Sequence, residues 1–179
     1  MSTDCVVRLA GPEHVAQLPA IERAAATRFG DSLPQSVLSH VTTVDTLAAA
    51  QRSGLLWVAL ESACDPIGFA VASVCGRRVH LDELDVLPEH GRKGVGSALV
   101  EAVENWALHS DYIEITLTTF RDVPWNAPFY AHIGFVVIPE GELDADLLRR
   151  LSDESAMGLE RGRRVAMRKS LSRLTSAST

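Results

Sequence analysis

Hydrophobic positions recur along this chain with two periods, and the switches between them mark its elements. Cys5 to Leu9 alternates and predicts a first strand, ended by Gly11-Pro12. Val15, Leu18, Ile21, Ala25 and Phe29 then recur at three- to four-residue spacing, an apolar stripe on one helix running to about Phe29. Gly30-Asp31-Ser32-Leu33-Pro34 reads as a loop, and Gln35 to Ser53 as one or two short helices. Strands are expected over Leu55 to Leu60 and Ile67 to Cys75, joined by a polar turn at Ser62 to Pro66, and over Val79 to Leu87 after the tight connection Gly76-Arg77-Arg78. A helix from about Gly94 to His109 turns Val95, Leu99, Val103 and Trp106 inward. Tyr112 to Thr119 alternates and is dense in β-branched residues, the mark of a strand. A short helix around Tyr130, a strand from Phe135 to Ile138, an amphipathic helix over Leu143 to Leu159 and a strand from Arg164 to Arg168 complete the series.

Composition narrows the class. With 179 residues and 46% hydrophobic content the chain can bury one good core, and two would be crowded. We expect a single domain over residues 1–170 and a Ser/Thr-rich tail over 171–179 that frays. The formal charge of −6 argues against a nucleic-acid binder, which would carry a basic excess. Cys5, Cys64 and Cys75 are odd in number and lack metal-type spacing, which suits free thiols in a reducing compartment. The histidines show no pair at ligand spacing, so no metal is expected. No apolar run approaches the ~18 residues that a membrane helix needs, and no charged leader precedes an apolar core. The expectation is a cytoplasmic protein.

The chemistry concentrates in LDELDVLPEHGRKGVGSAL, residues Leu81 to Leu99. A buried strand runs into a turn rich in glycine and basic residues, and a helix follows. Backbone amides from His90 to Ser97 are expected to be free, because the first turn of a helix has no internal partners for them. Glycines at 91, 94 and 96 let a ligand approach the backbone closely. The helix aims its positive end at the same spot, an arrangement that binds phosphate. It is not a P-loop, because Ser97 follows Gly96 with no lysine between them. It is not a dinucleotide fingerprint either, because the third small residue is missing.

What remains resembles the GNAT acyltransferase superfamily. Leu84-Asp85-Val86-Leu87-Pro88 matches the strand end of its signature, and Gly94 and Gly96 match the two glycines of Gln/Arg-x-x-Gly-x-Gly/Ala. Gly91 stands where that motif carries Gln or Arg, and the nearest arginine, Arg92, comes one place later. A second segment, WNAPFYAHIGF over residues 125–135, is similar to the other hallmark of the family. There Phe129-Tyr130 lies on a short helix and Gly134-Phe135 opens a strand. Asn126 suits the N-cap of that helix, Pro128 its first turn and Gly134 its left-handed end. Val123 occupies the place, seven residues before the tyrosine, where the family often has asparagine.

The resemblance covers roughly residues 5–170. It implies an α+β GNAT fold, a single mixed, largely antiparallel twisted sheet of about seven strands flanked by helices, with splayed fourth and fifth strands. It implies acetyl-CoA as cofactor, its pantetheine arm entering between those strands. Leu84, Asp85 and Val86 would lend backbone groups to that arm, as an added strand would. The phosphates would meet Gly91, Arg92, Lys93, Gly94, Val95, Gly96 and Ser97, with Asn126, Phe129 and Tyr130 alongside. Because the diphosphate is held mainly by amides, the departure at Gly91 should weaken affinity rather than abolish it.

Acyl transfer to an amine sets three demands: a neutral amine, a stabilised oxyanion and a protonated leaving thiol. An alkylammonium of pKa ~10.4 is neutral only on the order of one part in a thousand at pH 7, so a base helps. Glu83 leads as that base, with Asp82 and Asp85 as neighbours able to take the role. Strand alternation puts Asp82 on the opposite face from Glu83 and Asp85, unless a bulge alters the parity. A plainer reading pairs Glu83 with an arginine such as Arg77. By resemblance the oxyanion donor is the Val86 N–H and the general acid is Tyr130. Phe135 reads as core. Acceptor recognition falls to Glu22, Phe29, Asp31 and Trp125, although Trp125 could equally pack beneath its loop.

These readings imply an N-acetyltransferase that moves an acetyl group from acetyl-CoA to a primary amine, on a small molecule or a peptide, by direct attack in a ternary complex. A non-catalytic acyl-CoA sensor shares the phosphate turn but needs neither Glu83 nor Tyr130. A homodimer fits the habits of the family.

Overall fold

The computed structural model describes residues 5–33, 38, 41–61 and 65–172, so Cys64 and most of the expected tail lie outside the described residues. Seven strands form one sheet: β1 (Val6–Leu9), β2 (Leu56–Leu60), β3 (Pro66–Cys75), β4 (Arg78–Val86), β5 (Glu114–Phe120), β6 (Val136–Val137) and β7 (Arg164–Ser170). Their order is β1-β2-β3-β4-β5-β7-β6, antiparallel throughout except for the parallel pair β4 and β5. The helices are α1 (Pro12–Val15), α2 (Leu18–Ala26), α3 (Val44–Arg52), α4 (Val95–His109), α5 (Ala127–His132) and α6 (Ala145–Ala156).

The single helix expected up to Phe29 is broken. Pro19 falls in the first turn of α2 and has no N–H to donate backward, so the chain restarts there. A 3-10 segment, Thr27–Ser32, then replaces the last expected turn. The strand expected over Phe135 to Ile138 shortens to Val136–Val137 at the sheet edge, and the last helix is trimmed to Ala145–Ala156. Asp144 fixes its start by accepting from the Leu147 amide at 3.0 Å. Of the helices expected between Gln35 and Ser53 the described residues contain α3, whose N-cap Thr43 accepts from the Thr46 amide.

The period of two sends alternate strand residues to opposite faces. On one face Val95, Leu99, Val103 and Ala107 of α4 pack on Val79, Leu81, Ile115, Leu117, Val165 and Met167, with Trp106 half-buried beside them. On the other, Val15, Leu18, Ile21 and Leu47 from α1, α2 and α3 cover Leu56, Val58, Phe69 and Val71. Leu147 and Leu151 of α6 cover Ile138 and Ala166 on that same side.

Two irregularities in β4 create the site. Parallel pairing with β5 ends at Leu81–Leu117, although β4 continues to Val86 and β5 to Phe120. From Leu117 to Phe120 the partner of β5 is still β7, so β5 leaves with β7 and a gap opens beside Glu83 to Val86. The pairing of β4 with β3 also slips: Leu81 opposes Ala72 but Glu83 opposes Val71, leaving Asp82 as the extra residue of a bulge.

Candidate active site

The bulge sorts the three acidic residues of β4. Asp82 turns to α6, where Arg150 holds it at 2.7 Å while also reaching Ser73 at 3.0 Å. It is tied into the scaffold and does not serve the gap. Glu83 is not held by Arg77, the plainer partner considered for it. It faces Asp85 on its own strand, Glu22 on α2 and Arg164 on β7.

Burial and the charges of Asp85 and Glu22 push the Glu83 carboxyl well above the usual carboxylate range, against a smaller pull from Arg164. Asp85 is itself raised to about 7, by burial first and then by Glu22, with the hydrogen bond it shares with Glu83 opposing. The two form a coupled pair whose titration belongs to both.

Backbone parity decides what else faces the gap. The Leu87 amide donates to Ile67 O at 2.9 Å, so alternate residues of β4 turn their backbone groups to β3. Asp85 is one of these, in register with Phe69, and its backbone is therefore spent within the sheet. Its expected backbone contact with the cofactor is corrected; what it offers is a side chain. Leu84 and Val86 turn their N–H and C=O groups away from β3 into the gap. Their side chains point to the start of α4, with Leu84 Cδ2 and Val86 Cγ2 4.0 and 3.9 Å from where a Cβ on Gly96 would lie.

The turn after β4 is narrower as an amide cradle than the glycine pattern implies. Pro88–His90 forms a 3-10 turn in which His90 donates to Leu87 O at 2.9 Å and Gly91 to Pro88 O at 3.1 Å. The free amides expected from His90 onward therefore do not include His90 or Gly91. The first amide donating into α4 is that of Ala98, to Gly94 O at 3.0 Å, so Val95, Gly96 and Ser97 present the unsatisfied donors of the helix start. Gly94 has φ +88°, and Arg92 shares the left-handed region at +59°. These conformations reverse the chain so that α4 starts facing the gap.

Helix α5 closes the other side. Asn126 occupies its N-cap position, but its side chain makes no capping bond, contrary to expectation. Gly134 adopts φ +98° and ends the helix, with the Phe135 amide donating to Tyr130 O at 3.0 Å. The Tyr130 ring lies edge-on to Phe129 and Phe135, at 5.0 and 5.7 Å between centroids. Burial, then the negative potential of Glu83 and Asp85, pushes its phenol above the usual range, so it holds its proton. Phe129 faces the cradle, its Cζ 3.5 Å from the Gly96 Cβ position. Phe135 is core, as expected.

The acceptor-side candidates separate. Both oxygens of Glu22 accept from the Thr42 amide, at 3.1 and 2.9 Å, so Glu22 acts by its charge from a fixed position. Phe29 packs between Phe120 and Trp125, with centroids 5.6 and 6.0 Å away. Trp125 is 38% exposed. The side chain of Asp31 lies outside the described residues. Sequence reasoning missed Arg164, which is 7% exposed, bonds Glu154 twice at 2.9 Å and lies 4.6 Å from the Phe120 ring centroid. Among the described residues no three His, Cys, Asp or Glu side chains are placed to hold a metal ion.

An amide cradle at a helix start, a gap between parallel strands and buried carboxyls beside it suit an acyltransferase, and the family match assigns that class. The chain matches the sequence model of the acetyltransferase (GNAT) family over residues 20–135 and belongs to that family. It is an acetyl-CoA-dependent N-acetyltransferase. Its fold is similar to that of the PaiA N-acetyltransferase of Thermoplasma acidophilum, solved in complex with coenzyme A. That match has 18% identity, 93% coverage of this chain and 99% of the other, and a TM-score of 0.69. A GNAT-family acetyltransferase of Staphylococcus aureus superimposes with a TM-score of 0.70 at 11% identity, covering 94% and 99% of the two chains. A nourseothricin acetyltransferase is 27% identical over 65% of each chain, with a TM-score of 0.51. No helix among the described residues is long and apolar enough to cross a membrane.

Proposed function

We propose that the enzyme acetylates a primary amine by direct attack within a ternary complex, and that the Glu83–Asp85 pair removes the ammonium proton. The observation that carries this reading is the placement of the two carboxyls. They share one face of β4, with their charges felt at the Tyr130 phenol. Three acidic side chains, Glu22 included, favour a cationic acceptor at this point.

The residues present fit coenzyme A. The amides of Val95, Gly96 and Ser97 would hold its diphosphate, with Arg92 and Lys93 adding charge, and the gap-facing backbone of Leu84 and Val86 would pair with its pantetheine arm. Acetyl-CoA supplies the acyl group as a thioester, activated toward amines. Asp85, with Glu83 beside it, accepts the proton of the incoming ammonium at its carboxylate. The Val86 N–H faces the gap and meets developing negative charge on oxygen. Tyr130 keeps its proton through burial and would give it from the phenol oxygen to the departing sulfur, regaining one from the acylated nitrogen, which sheds its second proton as the amide forms. Phe29 and Trp125 form an aromatic wall on the acceptor side.

The acceptor is a small-molecule or peptide amine, and the reaction takes place in the cytoplasm. A homodimer finds support in the exposed sheet edge at Val136 and Val137, 58% and 51% accessible. The test is an amine panel with acetyl-CoA, read by free thiol and by mass of the acetylated product. Turnover with a cationic amine, lowered about 10²–10⁴-fold in Asp85→Asn while CoA still binds, is the expected result. Tight CoA binding with no acetylated amine across the panel would favour the sensor reading instead.

A further inference from the structure

Gly91, at the place where the resembling motif carries Gln or Arg, leaves a space beside the phosphate turn, and a side chain from another element stands in it. The Nη1 of Arg28 lies 3.7 Å from the position a Cβ on Gly91 would take. Arg28 belongs to the 3-10 segment after α2, on the acceptor side of the molecule, yet its guanidinium reaches across to the turn. Its Cζ lies over the Trp125 ring, 4.9 Å from the centroid. Such stacking orients a planar cation and leaves its N–H edge available.

Among the described residues no carboxylate forms an ion pair with Arg28. Arg92 and Lys93 follow Gly91 in the chain and α4 starts just beyond, while Glu89 and Glu61, the latter 3.8 Å from His90, are the carboxylates of the turn, so a bound anion would offset the positive charge that Arg28 adds there. We propose that Arg28 is a cofactor-binding residue, donating to the diphosphate of coenzyme A in place of the side chain that Gly91 lacks, and that Trp125 is its positioning residue. This rests on the reading that the diphosphate lies at the amides of Val95 to Ser97. Guanidinium suits the task because its fork matches two phosphate oxygens at once. It also links the two halves of the site, because Trp125 lies on the acceptor side while the arginine it holds serves the cofactor.

The experiment is titration calorimetry with CoA and, in parallel, KM for acetyl-pantetheine, which carries the thioester but no phosphate. Arg28→Ala alters an exposed side chain and leaves the core untouched. Loss of one charge-assisted contact should raise the CoA dissociation constant about tenfold. It should also flatten its salt dependence and leave acetyl-pantetheine kinetics unchanged. Trp125→Ala should reproduce a smaller part of the loss and Trp125→Phe should recover it. Gly91→Arg in the Arg28→Ala background should restore affinity. Unchanged CoA affinity in Arg28→Ala, or an equal loss for both ligands, overturns the proposal. Ser97→Asp separates the two levels, because it sets a negative charge at the cradle itself. If Ser97→Asp weakens CoA and Arg28→Ala does not, the arginine is discarded and the cradle stands; if neither variant weakens CoA, both fall.

Discussion

Glu83 and Asp85 lie two residues apart on one strand, buried together, and burial with their mutual repulsion makes the pair hold a proton more tightly than isolated carboxylates would. The cause is local geometry. Strand alternation sets the two side chains on one face, the bulge at Asp82 turns that face away from α4, burial removes their water, and Glu22, fixed by Thr42, adds a third negative charge nearby. The gap itself follows from β5 remaining paired to β7 while β4 ends its pairing at Leu81.

Asp85 must be ionised to take a proton, so kcat/KM should rise with pH along a limb centred near 7. Asp85→Asn removes the acceptor, and its kcat/KM should fall by about 10²–10⁴ with the limb at 7 abolished. The remaining pH dependence would be that of the free amine. A limb still centred near 7 in the variant would assign it to another group.

The same residue has a stability signature of opposite sign to its use. The Asp85 pKa is raised on folding from 3.8 to about 7, so the native state binds more protons between these values. Its contribution is therefore full below about pH 4 and is lost as pH rises through about 7. Asp85→Asn should melt higher than the parent at pH 8 by roughly 4 °C, a gain of about 1–2 kcal/mol, and the difference should vanish at pH 4. His80, buried with its pKa lowered to about 3, opposes this trend below neutrality but is common to both proteins and cancels in the difference. Paired thermal melts across pH 4–9 test it, and a variant less stable at pH 8 would contradict the assigned strain.

Tyr130→Phe retains the ring contacts with Phe129 and Phe135 and loses only the phenol. Turnover should drop about 10²-fold, while the CoA dissociation constant stays within a factor of about two. Because burial and the Glu83–Asp85 charge raise the phenol, the parent should show no alkaline loss of kcat near pH 10 from this group. Stopped-flow thiol release over pH 7–10 checks both points.

Much of this site is legible from the chain. The Pro88-to-Leu99 stretch carries its own glycine and helix signals, and Phe129-Tyr130 with Gly134 punctuates a helix end wherever it falls. Local chemistry of that kind survives into the structure, as the left-handed Gly94 and Gly134 attest. What sequence could not supply is register. Whether Asp82 or Asp85 faces the gap depends on a one-residue slip against Val71 and Ala72, which periodicity does not encode. Arg28 and Arg164 were equally hidden, because surface-type residues acquire meaning only through distant partners such as Trp125, Glu154 and Phe120. The break before Pro19 could have been read, since a proline there costs the helix a backbone bond.

Glu154 holds Arg164 and also bonds Thr118, so it tunes the pair at one remove. Arg164 lowers the Glu83 carboxyl, and neutralising Glu154 frees more of that positive charge to act. Glu154→Gln should move the acid limb of kcat/KM to lower pH, at a cost in stability of about 3 kcal/mol for leaving a buried guanidinium half-compensated. A pH–rate profile beside a denaturant melt separates the two effects. A limb shifted upward would show that Arg164 does not reach the pair.

Two glycines test the gap from its opposite sides. A Cβ on Gly68 would lie 2.7 Å from Asp85 O, 3.1 Å from Val86 Cγ2 and 3.3 Å from Leu99 Cδ1, so Gly68→Ala must push β4 away from β3. It should lose about 1–3 kcal/mol and most of its activity together, because backbone cannot yield as a side chain does. A Cβ on Gly96 meets only side chains, with Phe129 at 3.5 Å, in ordinary contact. Gly96→Ala should therefore fold as well as the parent or slightly better, since alanine is the stronger helix former by about 0.8–1 kcal/mol. Its methyl would stand between Phe129 and the side chains of Leu84 and Val86, where the proposed pantetheine path narrows. CoA affinity should fall about tenfold with the melting temperature unchanged or raised. Calorimetry and a melt on the same sample decide it, and a Gly96→Ala enzyme binding CoA as tightly as the parent would move that path away from the start of α4.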